Sequence, residues 1–260
     1  MFSGIIHAVV AVVSFSLNEA VEVLSPTVRY VKSLIYERDE VGVLRECLSG
    51  GGANKYVGIT PLMREGRPIW GREGRVRLPP GSYWFRVGAV ITKDRVMDFM
   101  RSVNAIASAA GGSVSLRVNS VMVANDPPRE FCIQTITPAQ IKAGSDYVSY
   151  PGLHDLLRSP MRVLSRALYE TIGIQYPTTW AYHYPKYYTG TSGWSRVVAL
   201  DLGKSRKIRG VTGKWCFKQT RKIPRWLATP LTQTLQVAEA VGIGKSRATG
   251  LGQIEVEVLG

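Results

Sequence analysis

Histidine and cysteine are scarce in this chain, with three of each among 260 residues. His7, His154 and His183 are spaced unlike any metal motif, and Cys47, Cys132 and Cys216 are odd in number and far apart. Neither a metal-ligand set nor a disulfide framework is expected from such spacing, and a reducing cytoplasm is the matching expectation. No cofactor-binding pattern stands out. The apolar stretch at 5–15 is too short to span a bilayer and lacks the basic segment of a secretion signal. Its valines favour a buried strand. Acidic residues are also in short supply: 19 Asp and Glu face 33 Lys and Arg, a formal net charge of +14 with a pI near 9.9. Such an excess points to a polyanionic partner, and phosphate contacts would weaken steeply with salt. A membrane surface is the rival polyanion, but no basic amphipathic helix or lipidation signal supports it.

What is plentiful is glycine, and its most organised use is near the C-terminus. Gly242, Gly244, Gly250 and Gly252 bracket Lys245, Ser246 and Arg247, between an apolar helical run and an alternating strand at 254–258. Glycine permits positive φ and close backbone approach to a ligand. Free N–H groups beside Lys and Arg suit a phosphate. A Walker loop is excluded, because the required first glycine falls at Glu239. Walker and dinucleotide loops also run from strand into helix, the reverse of the order here.

The length suits one large domain or two of ordinary size. Strand 5–15 is followed by a helix opening at Ser25-Pro26, with Ser as cap, and running to about residue 38. A short helix at 40–48, a strand at 55–63, a basic hairpin-like insertion at 64–77 and a strand at 82–91 come next. Thr92 is placed as the cap of a helix whose Val96, Phe99, Met100, Val103 and Ile106 form one apolar stripe. A strand at 113–123 completes β-α-β-β-α-β, the ferredoxin-like order. Asn125-Asp-Pro-Pro128 then divides the chain into domains 1–126 and 127–260. The same order restarts with a strand at 131–137, a helix at 160–172, strands at 196–202 and 210–218, a helix at 229–240 and the final strand. The aromatic segment 177–194 resists assignment.

These features resemble the CRISPR-associated repeat-processing endoribonucleases, the sixth Cas family within the repeat-associated RAMP superfamily. The match is Gly-x-Gly-x(5)-Gly-x-Gly followed by Gln-Ile-Glu-Val, placed before the last strand. Ile59-Thr-Pro-Leu62, Ile136-Thr-Pro138 and Gly210-Val-Thr-Gly-Lys-Trp-Cys-Phe217 look like further family segments. The resemblance implies an α+β protein of tandem ferredoxin-like (RRM-like) domains, with antiparallel sheets facing a basic cleft. It also implies metal-independent cleavage of CRISPR repeat RNA, in which the ribose 2′-OH attacks the neighbouring phosphate and leaves 2′,3′-cyclic phosphate and 5′-OH ends. CRISPR repeat RNA is the expected partner, with interference-complex subunits as further ones, and the chain is expected to be a monomer or homodimer.

Many family members use a histidine just after the first helix. This sequence has none between His7 and His154. Three alternatives follow. Lys32, Tyr36 and Arg38 on the first helix, with Lys55, can surround the scissile phosphate; His7 can be recruited from the first strand; or the chain binds RNA without cutting it. Lys245, Ser246, Arg247 and the four loop glycines are the expected backbone-holding residues. A second basic run, Lys204, Arg206, Lys207, Arg209, Lys214, Lys218, Arg221, Lys222 and Arg225, carries no carboxylate and is interleaved with Trp215, Phe217 and Trp226, which could stack bases. The aromatic group Trp180, Tyr182, His183, Tyr184, Tyr187 and Tyr188 reads equally as loop packing or as RNA contact.

Overall fold

The computed structural model describes residues 5–49, 56–71, 74–121, 126–143, 146–201 and 207–259. Strand β1 (Ile6–Leu17) is buried on both sides. Val9, Ala11, Val13 and Phe15 enter one core, while Ile6, Ala8 and Val10 enter another. This double burial explains why the run is continuously apolar instead of alternating. The chain continues through β2 (Val21–Ser25), α1 (Thr27–Arg38), α2 (Val43–Ser49), β3 (Val57–Ile59), β4 (Met63–Arg64), β5 (Arg67–Pro68), β6 (Gly74–Leu78), β7 (Gly81–Thr92), α3 (Val96–Ala109) and β8 (Ser113–Ser120). One antiparallel sheet runs β5-β4-β7-β1-β8, with β3 also on β7, and β2 pairs with β6 separately.

The second half contains β9 (Glu130–Thr135), the short pair β10 (Lys142–Ala143) and β11 (Asp146–Tyr147), α4 (Leu153–Ile172), β12 (Tyr188–Asp201), β13 (Lys207–Gln219), α5 (Arg225–Val241) and β14 (Ile254–Val258). Its sheet order is β12-β13-β9-β14. In both halves the first strand lies between the third and the last, with the second strand outside the third. That is the strand order of a ferredoxin-like fold, so the tandem reading holds.

Several local expectations are corrected. Ser25 does not cap α1; its hydroxyl donates to the Trp70 carbonyl at 3.3 Å, and Pro26 occupies the cap position. Thr92 makes no side-chain cap, and a 3-10 turn at Lys93–Arg95 leads into α3. Helix α4 begins well before Pro160, which sits inside it. A proline there removes one helical hydrogen bond. Burial of Leu153, Leu156, Leu157 and Met161 in the second core offsets that loss. Pro230 within α5 is the same case. The unassigned aromatic segment splits into a 3-10 stretch (Thr178–Lys186) and the start of β12.

Two larger corrections concern the whole fold. The sheets do not face each other across a cleft, because α4 and α5 lie between them. Val163, Leu164, Ala167, Leu168, Val237, Ala240 and Val241 from these helices share a core with Ile6, Ala8, Val10 and Val90 of the first sheet. The cysteines are not all free either. Cys132 and Cys216 are directly opposite across β9 and β13, with Cα atoms 4.0 Å apart, and form a disulfide. Spacing of 84 residues hides this pair in the sequence; only the strand register brings it together.

Candidate nucleic-acid interface

The glycine loop joins α5 to β14, and each glycine is placed where a side chain would be strained. Gly242, Gly244, Gly250 and Gly252 have φ of 83°, 71°, 88° and 68°. A Cβ on Gly244 would lie 2.5 Å from the Gln140 carbonyl oxygen. One on Gly252 would lie 2.0 Å from that of Ile243. The loop is clasped along its length. Ile243 N–H donates to Gly252 at 2.7 Å, Lys245 N–H to the Gln140 carbonyl at 2.9 Å, and Gly252 N–H to that of Pro138 at 2.9 Å. Thr137 Oγ1 accepts from Gln253 N–H at 3.0 Å, and Ser159 Oγ of α4 donates to the Gly244 carbonyl at 2.9 Å. The Thr137-Pro138 segment therefore acts as a brace for the loop.

Beside this loop lies a cavity of about 560 Å³. Among the described residues five cations border it: Lys142, Arg158, Arg162, Lys245 and Arg247. Asp155, the one carboxylate among the described residues of its lining, already accepts from Gly152 N–H at 3.0 Å and lies 3.1 Å from His154 Nε2. Lys245 and Arg162 are exposed, whereas Arg247 is buried at 6 % exposure. Burial, with the Arg162 charge adding to it, pushes Arg247 down to about 10, so it remains charged at neutral pH. Convergent fixed cations in a walled space suit a phosphate, whose charge they neutralise without reorganising. Lys142, Arg158 and Arg162 were not singled out from sequence. Arg158 and Arg162 stand one helical turn apart on α4, a spacing that could have flagged them.

The remaining candidates are distributed differently. Gly250 packs against the start of α1, where an added Cβ would sit 3.2 Å from Val28. Lys32 is one turn further along, about 6 Å of helix rise, and Tyr36 a turn beyond that. Lys32 is half-buried and Tyr36 is 52 % exposed. Arg38 is rotated about 200° from Tyr36 around the helix, so it does not share that face. Lys55, Lys204 and Arg206 lie outside the described residues. Lys207 and Arg209 are exposed on β13. Lys214 is ion-paired with Glu257 at 2.7 Å and Lys218 with Glu130 at 3.8 Å. The run that has no carboxylate in sequence thus acquires two from neighbouring strands. Trp215 and Phe217 point into the second core at 2 % and 6 % exposure, so they are not an exposed stacking platform, whereas Trp226 is exposed at the start of α5. His7 on β1 has neither ring nitrogen hydrogen-bonded among the described residues, and burial, then Lys93, lowers its pKa. Among the described residues no helix is long and apolar enough to cross a membrane.

The fold and this loop define a class: tandem ferredoxin-like proteins that place a cation-flanked glycine turn before their last strand. The family model of the CRISPR-associated endoribonuclease Cas6 matches residues 133–254, and with it the resemblance read from the sequence holds. Solved structures agree over nearly the whole chain. A Cas6 product complex is 14 % identical with a TM-score of 0.64, covering 96 % of this chain and 99 % of the other. Cas6 of Thermus thermophilus is 13 % identical with a TM-score of 0.60, over 97 % of this chain and 98 % of that one. A chain of a partial Cas6-RT-Cas1–Cas2 complex is 15 % identical with a TM-score of 0.56, covering 98 % of this chain and 47 % of its own length. No curated protein matches the sequence.

Proposed function

We propose that this protein is an endoribonuclease that processes CRISPR precursor RNA within its repeats, by 2′-OH attack that needs no metal ion and leaves 2′,3′-cyclic phosphate and 5′-OH ends. The observation that carries the reading is the braced glycine loop with five cations around one cavity, abutting the first turn of α1. In this reading the loop and the α4 arginines hold the phosphate backbone. Lys32 and Tyr36, with Lys55, attend the scissile phosphate, and Arg38 supplies outlying charge. Free lysine and tyrosine titrate near 10, so they are poor bases at neutral pH. Positioning and charge stabilisation then provide most of the acceleration, and turnover is slow. The two halves, 1–126 and 127–260, act as domains, and the protein works in the cytoplasm as a monomer or homodimer on repeat RNA. Likeness to a chain of a Cas6-RT-Cas1–Cas2 assembly supports further protein partners.

A second reading is a subunit that holds repeat-derived RNA without cutting it. It is favoured by the end of α1, which carries Tyr36, Glu37 and Arg38 and no histidine. Labelled repeat RNA incubated with the protein in EDTA separates the two. A cyclic-phosphate product supports the enzyme, and tight binding with intact RNA supports the subunit. Lys32→Ala and Lys55→Ala are each expected to slow cleavage at least tenfold, about 1.4 kcal/mol in barrier, with little change in affinity. Unchanged rates in both variants remove the site assignment.

A further inference from the structure

Of the three rings interleaved with the basic run, Trp226 alone is exposed, at 51 %. The cations beside it differ from those on β13. Lys214 and Lys218 are paired with carboxylates, whereas Arg221, Lys222 and Arg225 are exposed and not ion-paired among the described residues. The first turn of α5 holds no acidic residue. Core packing does not account for Trp226, since Leu227, Ala228 and Leu231 from the same end of the helix fill the second core. A singly exposed apolar residue is common, so exposure by itself decides nothing.

The support around the ring does decide. Trp180 meets Trp226 with centroids 5.3 Å apart and planes at 68°, and His183 meets it at 5.9 Å and 75°. Trp180 is itself packed against the second core and lies 5.3 Å from Tyr176. Trp226 is thus held in one orientation by a buttress rooted in the fold, so little ordering is left to be done on binding. Both neighbours are edge-to-face, and neither covers the indole as a parallel ring would. A flat partner completes such a site by stacking, and a nucleobase brings phosphates on either side for the adjoining cations. An apolar peptide would take up the ring but strip water from three unpaired charges. An acidic peptide would answer the charges and leave the ring unused.

We infer that Trp226 is a stacking platform for one unpaired base of the bound RNA, with Arg221, Lys222 and Arg225 on the adjoining phosphates. The inference rests on the proposed RNA binding but not on cleavage. Trp180 and His183 act as positioning residues, which gives the aromatic segment a task. Helix α5 separates Trp226 from the glycine loop by about 24 Å of rise. The stacked base therefore lies several nucleotides along the strand from the phosphate held at the loop. A base inside a duplex is already stacked on both faces, so the platform favours RNA that is unpaired at this position.

The probe is a short oligoadenylate with every 2′-hydroxyl methylated, which 2′-OH attack cannot cut. The control is a base-free ribose-phosphate strand of equal length. Full-length protein carrying fluorotryptophan gives a ¹⁹F resonance for Trp226, identified by its absence from Trp226→Phe. Oligoadenylate should move that resonance and the base-free strand should not. The native protein should bind oligoadenylate at least about fivefold more tightly than the base-free strand, the low end of what one stacked base supplies. Trp226→Ala should bind the two alike, and Trp226→Phe should keep part of the preference. Salt separates ring from charge: the slope of log affinity against log salt should be unchanged in Trp226→Ala and shallower by about 0.7 in Lys222→Ala or Arg225→Ala. A Trp226 resonance indifferent to oligoadenylate overturns the platform, as does a preference that survives in Trp226→Ala; RNA binding itself then still stands. Equal weakening for both strands in Trp226→Ala marks a structural role and also overturns it. A resonance moved by phosphatidylserine vesicles, and not by oligoadenylate, overturns it in favour of a membrane. A native protein that binds neither strand removes the RNA-binding function and the platform together.

Discussion

At the residue scale, burial decides what the titratable groups can do. Cys47 borders a small cavity between α2, β7 and α4, and burial pushes its thiol up to about 11. The neutral thiol is therefore favoured in the folded state. Its contribution to stability is complete below about pH 9, the value for the unfolded chain, and is lost as pH rises through 11. A rise of that size cuts the thiolate fraction at pH 8 by about a hundredfold. Iodoacetamide at pH 8 should accordingly alkylate Cys47 at least tenfold more slowly in native than in unfolded protein, as followed by mass spectrometry. Equal rates would mean that the thiol is open to solvent. Arg86 illustrates the opposite use of burial. It is 3 % exposed, donates to the Ile254 carbonyl at 2.9 Å and to the Glu239 carbonyl, and desolvation pushes it down to about 10. Arg86→Ala empties that position and leaves two carbonyls unpaired. A loss of about 3 kcal/mol is expected from urea denaturation.

At the element scale, the glycine loop is rigid because its conformation is imposed from outside. Gly244→Ala and Gly252→Ala each put a methyl group against a backbone oxygen at positive φ, where neither partner can yield. Each should cost about 2–4 kcal/mol of stability and at least tenfold in RNA affinity. Gly111→Ala is the fair comparison: φ is 63°, nothing lies within 4 Å, and a cost of about 1 kcal/mol is expected with RNA affinity unchanged. The loop was legible because glycine, cation and strand signals are all local. So were β1, α3 and β14, whose patterns are set by their own residues. The start of β12 was not legible, since its first residues alternate poorly and are held by pairing with β13. Nor were the fates of Lys214 and Lys218 legible, since Glu257 and Glu130 reach them only through strand register. The same holds for Cys132 and Cys216. Mass spectrometry of unreduced protein should find a species lighter by two hydrogens. Cys132→Ala with Cys216→Ala should lose about 2–4 kcal/mol, because the bond closes a long loop in the unfolded chain.

At the scale of the whole molecule, α4 and α5 are the shared element. They fill the core of the second half with one face and cover the first sheet with the other. That arrangement ties the glycine loop, which follows α5, to α1, which lies on the far side of the first sheet. Contact at the first-sheet face is close enough to exclude a methyl group: a Cβ on Gly88 would fall 1.9 Å from the Ala240 carbonyl oxygen. Gly88 has no positive φ, so Gly88→Ala leaves β7 unstrained and tests only the approach of α5. We expect it to separate the halves energetically, so that a single urea transition in the native protein becomes two. At the rim of the same interface Tyr56 donates to Glu170 at 2.5 Å, and Arg166 lies 2.6 Å from the same carboxylate. The tyrosine hydroxyl, then the arginine, hold Glu170 below the usual carboxylate range. A depressed folded value means that this link is complete above about pH 4.5 and is lost as pH falls through the lower native value. Tyr56→Phe should therefore lower stability on the neutral side, where the link is complete, and converge with the native protein on the acid side, where the link is already lost. If Gly88→Ala still unfolds in one step with full stability, α5 does not bear on the first sheet, and the path from glycine loop to α1 is not rigid.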